Sequence, residues 1–192
     1  GATYSYECLR AHEKWVRDLI DAQDKSGQVP VIVPTPGWGR PFEADSDEIG
    51  RMGDPWWGGA IIYVPWTLYL HYGDLEIIEE AYPAMKKYFA FLQDHSNNYI
   101  IRWDSLLGDW LEVGSHGPAD RTPRELTATQ AYYFYAKLME KMAKVLNKSD
   151  DARSYATVGS EIKNAFNEEF LNRSEGLYAE DSQSALAMSL FV

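Results

Sequence analysis

The side chains in this sequence best suited to chemistry are aromatic: seven Trp, thirteen Tyr and seven Phe, 14 % of the chain. Rings at this density either fill a large core or line a site where the apolar C–H faces of a sugar stack on them. Composition alone puts the core first. Other chemistries find few residues to work with. His12, His71, His95 and His116 are scattered, with no His-Glu-x-x-His pair to hold zinc on one helix face. His116, in a Gly-rich stretch, reads as a solvated loop side chain. Cys8 is the single cysteine, which excludes an internal disulfide and a cysteine zinc cluster. There is no Gly-rich phosphate loop, and Gly108-Asp109-Trp110 does not fit a nucleophile elbow. No metal and no cofactor are expected.

The net charge of −11 repels phosphate backbones and anionic lipids, so neither nucleic acid nor a membrane is the expected partner. Most acidic proteins use such charge only for solubility. No apolar run approaches the roughly 18 residues of a transmembrane helix. With 45 % hydrophobic residues, the chain can build a true core.

The elements that would position the rings read as helices. Leu9, His12, Trp15, Val16 and Leu19 recur at spacings of three and four, predicting a helix over Thr3 to Asp24. A long Pro- and Gly-rich loop from Val29 to Gly53 follows, of the kind that is ordered and functional or else disordered. Asp54-Pro55 predicts a helix start, with Asp54 as N-cap, running to Tyr72 with a kink at Pro65. Gly73-Asp74 closes that helix and caps the next, which carries Leu75, Ile78, Tyr82, Met85, Phe89 and Leu92 as its stripe; a kink or break is expected near Pro83. Residues 97–121 read as irregular, with a short strand at Tyr99–Trp103. Thr122-Pro123-Arg124-Glu125 is a capping box for a fourth helix, Ser149 caps a fifth, and a sixth begins near Ser182. Short turns alternate with long loops, so the long loops should gather at one end of a set of helical hairpins. The predicted class is all-α, with at most a small strand or two.

The chain stops inside Ala185-Leu186-Ala187-Met188-Ser189-Leu190-Phe191-Val192, an apolar run with no Gly, Asn or basic last turn. The expectation is one fragment over residues 1–192, truncated at both ends.

Several strings in order resemble the catalytic domain of the bacterial α-L-rhamnosidases of glycoside hydrolase family 78. They are Pro36-Gly37-Trp38-Gly39, Asp54-Pro55-Trp56-Trp57-Gly58-Gly59-Ala60, Val64-Pro65-Trp66, Tyr72-Gly73-Asp74, Tyr82-Pro83-Ala84-Met85, Gly108-Asp109-Trp110-Leu111, and Gln183 with Ala185-Leu186-Ala187. Together they cover nearly the whole chain. The resemblance implies an (α/α)6 toroid of six helical hairpins, of which this chain would be roughly half. One departure is Gly59, where the family commonly carries an acidic residue.

The resemblance also implies hydrolysis of terminal α-L-rhamnose with inversion, which needs one carboxylic acid to protonate the leaving oxygen and one carboxylate to activate water. In the family the acid lies upstream and the base downstream of the segment matched here, so the fragment is expected to be inactive. What remains is part of the sugar pocket. Trp57 and Trp110 match rings that pack on rhamnose, whose C6 methyl favours an apolar wall. Trp110 follows Gly108-Asp109 in a loop, which favours the site. For Trp57 the adjacent Trp56 competes for the role. Asp109 and Glu112 are the carboxylates expected to face the cleft; Asp109 could instead brace its own turn. Trp38 either walls the pocket or anchors its loop, and Asp54 reads as a cap before a ligand. Half a barrel would expose core-like faces and self-associate. Its partner would be a rhamnose-containing glycan or glycoside; enzymes that take up plant glycans are often periplasmic or secreted, cytoplasmic members exist, and the sequence does not fix the parent's location. Two other readings stand: another (α/α)6 glycosidase or polysaccharide lyase of the glucoamylase or trehalase kind, and a non-catalytic helical-hairpin binding module.

Overall fold

The computed structural model of the protein describes residues 7–34, 53–103, 107–112, 121–179 and 182–192. Trp38, His116 and most of the loop between Val29 and Gly53 lie outside them. Seven helices make up the described fold: α1 (Leu9–Ala22), α2 (Pro55–Gly58), α3 (Ala60–Tyr72), α4 (Leu75–Asp94), α5 (Arg124–Val145), α6 (Ser149–Phe170) and α7 (Gln183–Ser189). Two-residue strands β1 (Leu171–Asn172) and β2 (Leu177–Tyr178) pair antiparallel between α6 and α7.

The helices pack in two rows. The hairpins α3–α4 and α5–α6 stand side by side, α3 touches α5 and α5 touches α7, while α1 packs on α3 and α4. α3 is apolar around most of its circumference and α5 buries residues on several sides, as expected of a row covered by its neighbours. α4 and α6 carry one apolar stripe each and polar residues outside. This is helical-hairpin packing of the kind found in part of an α/α toroid.

Most of the aromatic content goes into this core. Tyr82, Tyr88, Phe89, Phe91, Tyr132, Tyr135, Tyr155 and Phe166 are buried. Phe89 meets Tyr155 edge to face at 5.0 Å and 86°, joining α4 to α6 with a geometry worth about 0.5–1.5 kcal/mol beyond area burial. Beside it the Tyr82 hydroxyl donates to Asp151 at 3.0 Å and the Lys86 ammonium to the same carboxylate at 3.0 and 3.1 Å. Lys86 first, and Tyr82 with it, hold the Asp151 carboxyl below its ordinary pKa.

Asp54 and Asp74 cap as expected, accepting from the amides of Trp56 at 2.9 Å and Ile77 at 3.1 Å. Gly73 turns the chain between α3 and α4 at φ +69°, a conformation suited to glycine. Other expectations need correction. α1 is seen from Leu9 and ends at Ala22, with Gln23 reaching the carbonyls of Gly27 (2.9 Å) and Ala84 (3.0 Å). The break between Pro55 and Tyr72 falls at Gly59, not at Pro65, which sits buried inside α3. α4 runs unbroken through Pro83, because Ala81, Tyr82, Ala84 and Met85 around it are buried and outweigh one lost backbone bond. Residues Tyr99–Trp103 form no strand: Asn97 and Ile100 make one isolated bridge about a tight turn. The capping box is not formed, since the Thr122 hydroxyl bonds Ser182 instead. Ser149 is the first residue of α6 rather than its cap.

Gly59 breaks the helix where there is no room for a side chain. A Cβ there would lie 2.0 Å from the ring and hydroxyl of Tyr135. Gly59→Ala is therefore expected to cost about 1–3 kcal/mol through overpacking, read as a lower urea midpoint at unchanged slope; an unaltered midpoint would show that the ring yields freely.

Candidate functional site

The described residues at the starts of α2, α5 and α7 meet loop 107–112 at one end. The turn after α1 passes under α4, where a Cβ on Gly27 would meet the Lys87 carbonyl oxygen at 2.5 Å. The start of α2 meets loop 107–112 through Asp54, whose second carboxylate oxygen accepts from the Leu107 amide at 2.9 Å. Loop 107–112 reaches α7 through Asp109, which accepts from the Ser184 hydroxyl, and reaches the start of α5 through Glu112. Ser182 caps α7 by accepting from the Ala185 amide at 3.1 Å, and its hydroxyl also bonds Thr122. Four segments remote in sequence are thus tied by side-chain oxygens to one another's amides and hydroxyls.

The candidate residues take different places at this end. Trp57 sits in the single turn of α2 and is 49 % exposed; Trp110, in the loop, is 55 % exposed. Its neighbour Leu111 is more open still. Asp109 is half-buried against Ser184. Glu112 is 9 % exposed, and its two oxygens accept from the backbone amides of Arg121 and Thr122. That geometry holds Glu112 against the residues just ahead of α5. Trp56 resolves its competition with Trp57 by turning inward: its indole N–H donates to the Thr127 carbonyl at 3.0 Å and its ring stacks on Phe134 at 5.8 Å.

Trp57 also borders a groove of about 410 Å³ between α1, α2 and α3, lined by Trp15, Val31, Val33, Trp56, Ala60 and Tyr63 among others. The Trp15 indole N–H donates to the Val33 carbonyl at 2.8 Å, which holds the far wall. Among the described residues its lining is mostly apolar and includes no charged side chain.

Asp54 supports this end electrostatically as well as sterically. At 4 % exposure, burial raises its carboxyl pKa, and the amides of Leu107, Trp56, Trp57 and Gly108 pull against that rise without cancelling it. Sequence reasoning identified the cap but not its second partner; nothing local in Asp54-Pro55 points to residue 107. The bonds of Ser184 to Asp109 and of Thr122 to Ser182 join residues equally remote in sequence, so no local pattern marks them.

Among the described residues no group of three His, Cys, Asp or Glu side chains could hold a metal ion. No helix is long and apolar enough to cross a membrane, again among the described residues. What this end offers chemically is two half-exposed indoles near carboxylates already engaged by protein donors: surfaces for stacking and hydrogen bonding.

The folded state binds the Asp54 proton more tightly than the unfolded chain, so Asp54 contributes stability that is complete below the ordinary carboxylate pKa of about 3.9 and is lost as pH rises through the raised folded value. Asp54→Asn keeps an acceptor for Trp56 but has no charge to desolvate. Urea midpoints from about pH 4 to 7 should show the variant losing the wild type's decline in that window. Parallel profiles would rule out Asp54 as its source.

Comparison with known proteins places this arrangement. Residues 1–192 match the family described as bacterial alpha-L-rhamnosidase 6 hairpin glycosidase domain. An alpha-L-rhamnosidase of Streptomyces avermitilis is 33 % identical over 191 residues, 98 % of this chain and 16 % of that protein. One from Formosa agariphila is 26 % identical over 92 % of this chain and 18 % of its own length. Among solved structures, the alpha-L-rhamnosidase from Dictyoglumus thermophilum superposes with a TM-score of 0.80 at 32 % identity, covering 98 % of this chain and 19 % of that one. The Streptomyces avermitilis enzyme complexed with L-rhamnose gives 0.77 at 31 %, covering 95 % of this chain and 16 % of that one. The chain therefore spans less than a fifth of the length of these relatives. Its sequence match from end to end and its two-row helical packing lead to one conclusion: the chain belongs to the bacterial alpha-L-rhamnosidase six-hairpin glycosidase domain family.

Proposed function

We propose that this chain is part of the catalytic (α/α)6 barrel of an inverting α-L-rhamnosidase of glycoside hydrolase family 78, and that it supplies a wall of the rhamnose pocket rather than the acid and base. The observation that carries this reading is the division of the aromatic residues. Core demand accounts for the buried Tyr and Phe, yet Trp57 and Trp110 stand half exposed at the end where the loops gather. An indole face is suited to the apolar C–H face of a pyranose and to the C6 methyl of rhamnose. Asp109 lies beside Trp110 as an acceptor for a sugar hydroxyl, and Glu112 serves the pocket by fixing the loop that carries both. Trp38, outside the described residues, is proposed as a further wall residue from its place in the long loop.

Inverting hydrolysis needs two carboxyl groups about 6.5–9.5 Å apart with room for water between them. Asp54 and Glu112 have their oxygens on backbone amides, and Asp109 has one on Ser184. Carboxylates so engaged are suited to holding structure, which supports an acid and a base drawn from elsewhere in the parent enzyme. The full-length enzyme should release p-nitrophenol from p-nitrophenyl α-L-rhamnoside, and residues 1–192 alone should release none. Clear turnover by the isolated chain would overturn this division of labour.

The same reading accounts for the apolar groove beside Trp57 and for Leu190 and Phe191, which are 87 % and 74 % exposed. Surfaces of that kind are covered in a complete barrel and adhesive without one. The isolated chain should therefore self-associate and enhance the fluorescence of a hydrophobic dye. A monodisperse monomer with little dye binding in light scattering and fluorescence would count against the half-barrel.

A further inference from the structure

The direction of Trp57 is set from α5. Trp57 belongs to a helix of one turn, too short to hold an orientation by itself. The carbonyl of Pro55, at the base of that turn, accepts from the Gly59 amide at 3.0 Å, from the Tyr135 hydroxyl at 2.8 Å and from the Tyr88 hydroxyl at 3.4 Å. Both tyrosines are fully buried. The two residues after Trp57 are glycines with no spare volume: a Cβ on Gly58 would lie 2.7 Å from the Tyr88 hydroxyl, and one on Gly59 2.0 Å from that of Tyr135. The turn rests directly on the two phenols. Trp56 is pinned inward by Thr127 and by the Phe134 and Tyr135 rings, so the next side chain, about 100° further round the helix, must leave the core.

We infer that Tyr135, acting through the Pro55 carbonyl, is a positioning residue for sugar recognition: its hydroxyl sets the α2 turn so that Trp57 presents its indole face to the ring. It touches no substrate itself. The inference rests on the reading that Trp57 packs on rhamnose, and the test separates the two.

Steady-state kinetics on p-nitrophenyl α-L-rhamnoside would compare the full-length enzyme with Trp57→Ala, Tyr135→Phe and the double variant. Trp57→Ala should raise KM roughly ten- to a hundredfold through lost stacking area. Tyr135→Phe, which removes one hydroxyl, should raise KM about three- to tenfold with kcat within about twofold, since it weakens binding in ground and transition states alike. The double variant should be no worse than Trp57→Ala, because Tyr135 works only through that ring. Multiplying KM effects would mark Tyr135 as structural and overturn the inference, as would an unchanged KM in Tyr135→Phe beside a raised KM in Trp57→Ala. An unchanged KM in Trp57→Ala would instead sink the pocket reading, and this inference with it. Two further measurements guard against a variant that folds poorly. In enzyme labelled with 5-fluorotryptophan, the ¹⁹F resonance assigned to position 57 by Trp57→Phe should move in Tyr135→Phe while that of Trp110 stays. Tyr88→Phe, which removes the longer bond to the same carbonyl, should raise KM in the same direction by a smaller factor. A still resonance at position 57, or no KM change in either tyrosine variant, would refute the assignment.

Discussion

Asp54 has one carboxylate oxygen on the amide of Trp56 and the other on the amide of Leu107, and it makes both bonds at 4 % exposure. The first bond starts a helix; the second attaches that helix to a loop about fifty residues further along. Burying a carboxylate is costly unless its oxygens find donors, and here the donors are the backbone amides that the two segments would otherwise leave unpaired. The rest of the loop end is arranged around this joint. Loop 107–112, once attached, carries Asp109 to Ser184 and Glu112 to the amides ahead of α5. The raised pKa of Asp54 records what remains of the burial cost after those bonds are made.

A similar logic runs through the aromatic residues. Phenol groups are costly to bury without a partner, and Tyr88 and Tyr135 both spend their hydroxyls on the Pro55 carbonyl. Burial also pushes both phenols well above their ordinary pKa. The ring volume they bring leaves no space opposite, and the consecutive glycines 58 and 59 meet that demand. At position 59 the Tyr135 phenol leaves no room for any side chain. A core constraint and a surface property are coupled: the packing that excludes a side chain at position 59 also turns Trp57 outward.

The two-row arrangement explains why such coupling matters for a glycosidase domain. α3 and α5 hold the loop end from below, while α4 and α6 shield them from solvent with one apolar stripe each. Side chains carried on the first turns and preceding loops of the inner row rest directly on the buried core beneath them.

By itself the sequence determined the helical class, the apolar stripe of α4, the Asp54 and Asp74 caps, the helix beginning near Ser182 and, through its ordered strings, the family. These are properties of period and of residues one turn apart, and a local pattern suffices to specify them. Only the tertiary structure decided where each polar group goes when it has a choice. Thr122 has the spacing of a capping box, yet its hydroxyl finds Ser182. Glu112 looks like a free loop carboxylate, yet it is buried on two amides. Pro65 and Pro83 are strong local breakers, but the chain breaks at Gly59, because burial of the residues flanking each proline outweighs one missing backbone bond and a ring from α5 fills the space beside residue 59. Trp56 and Trp57 are indistinguishable as letters; Thr127 and Phe134, remote in sequence and adjacent in space, choose between them.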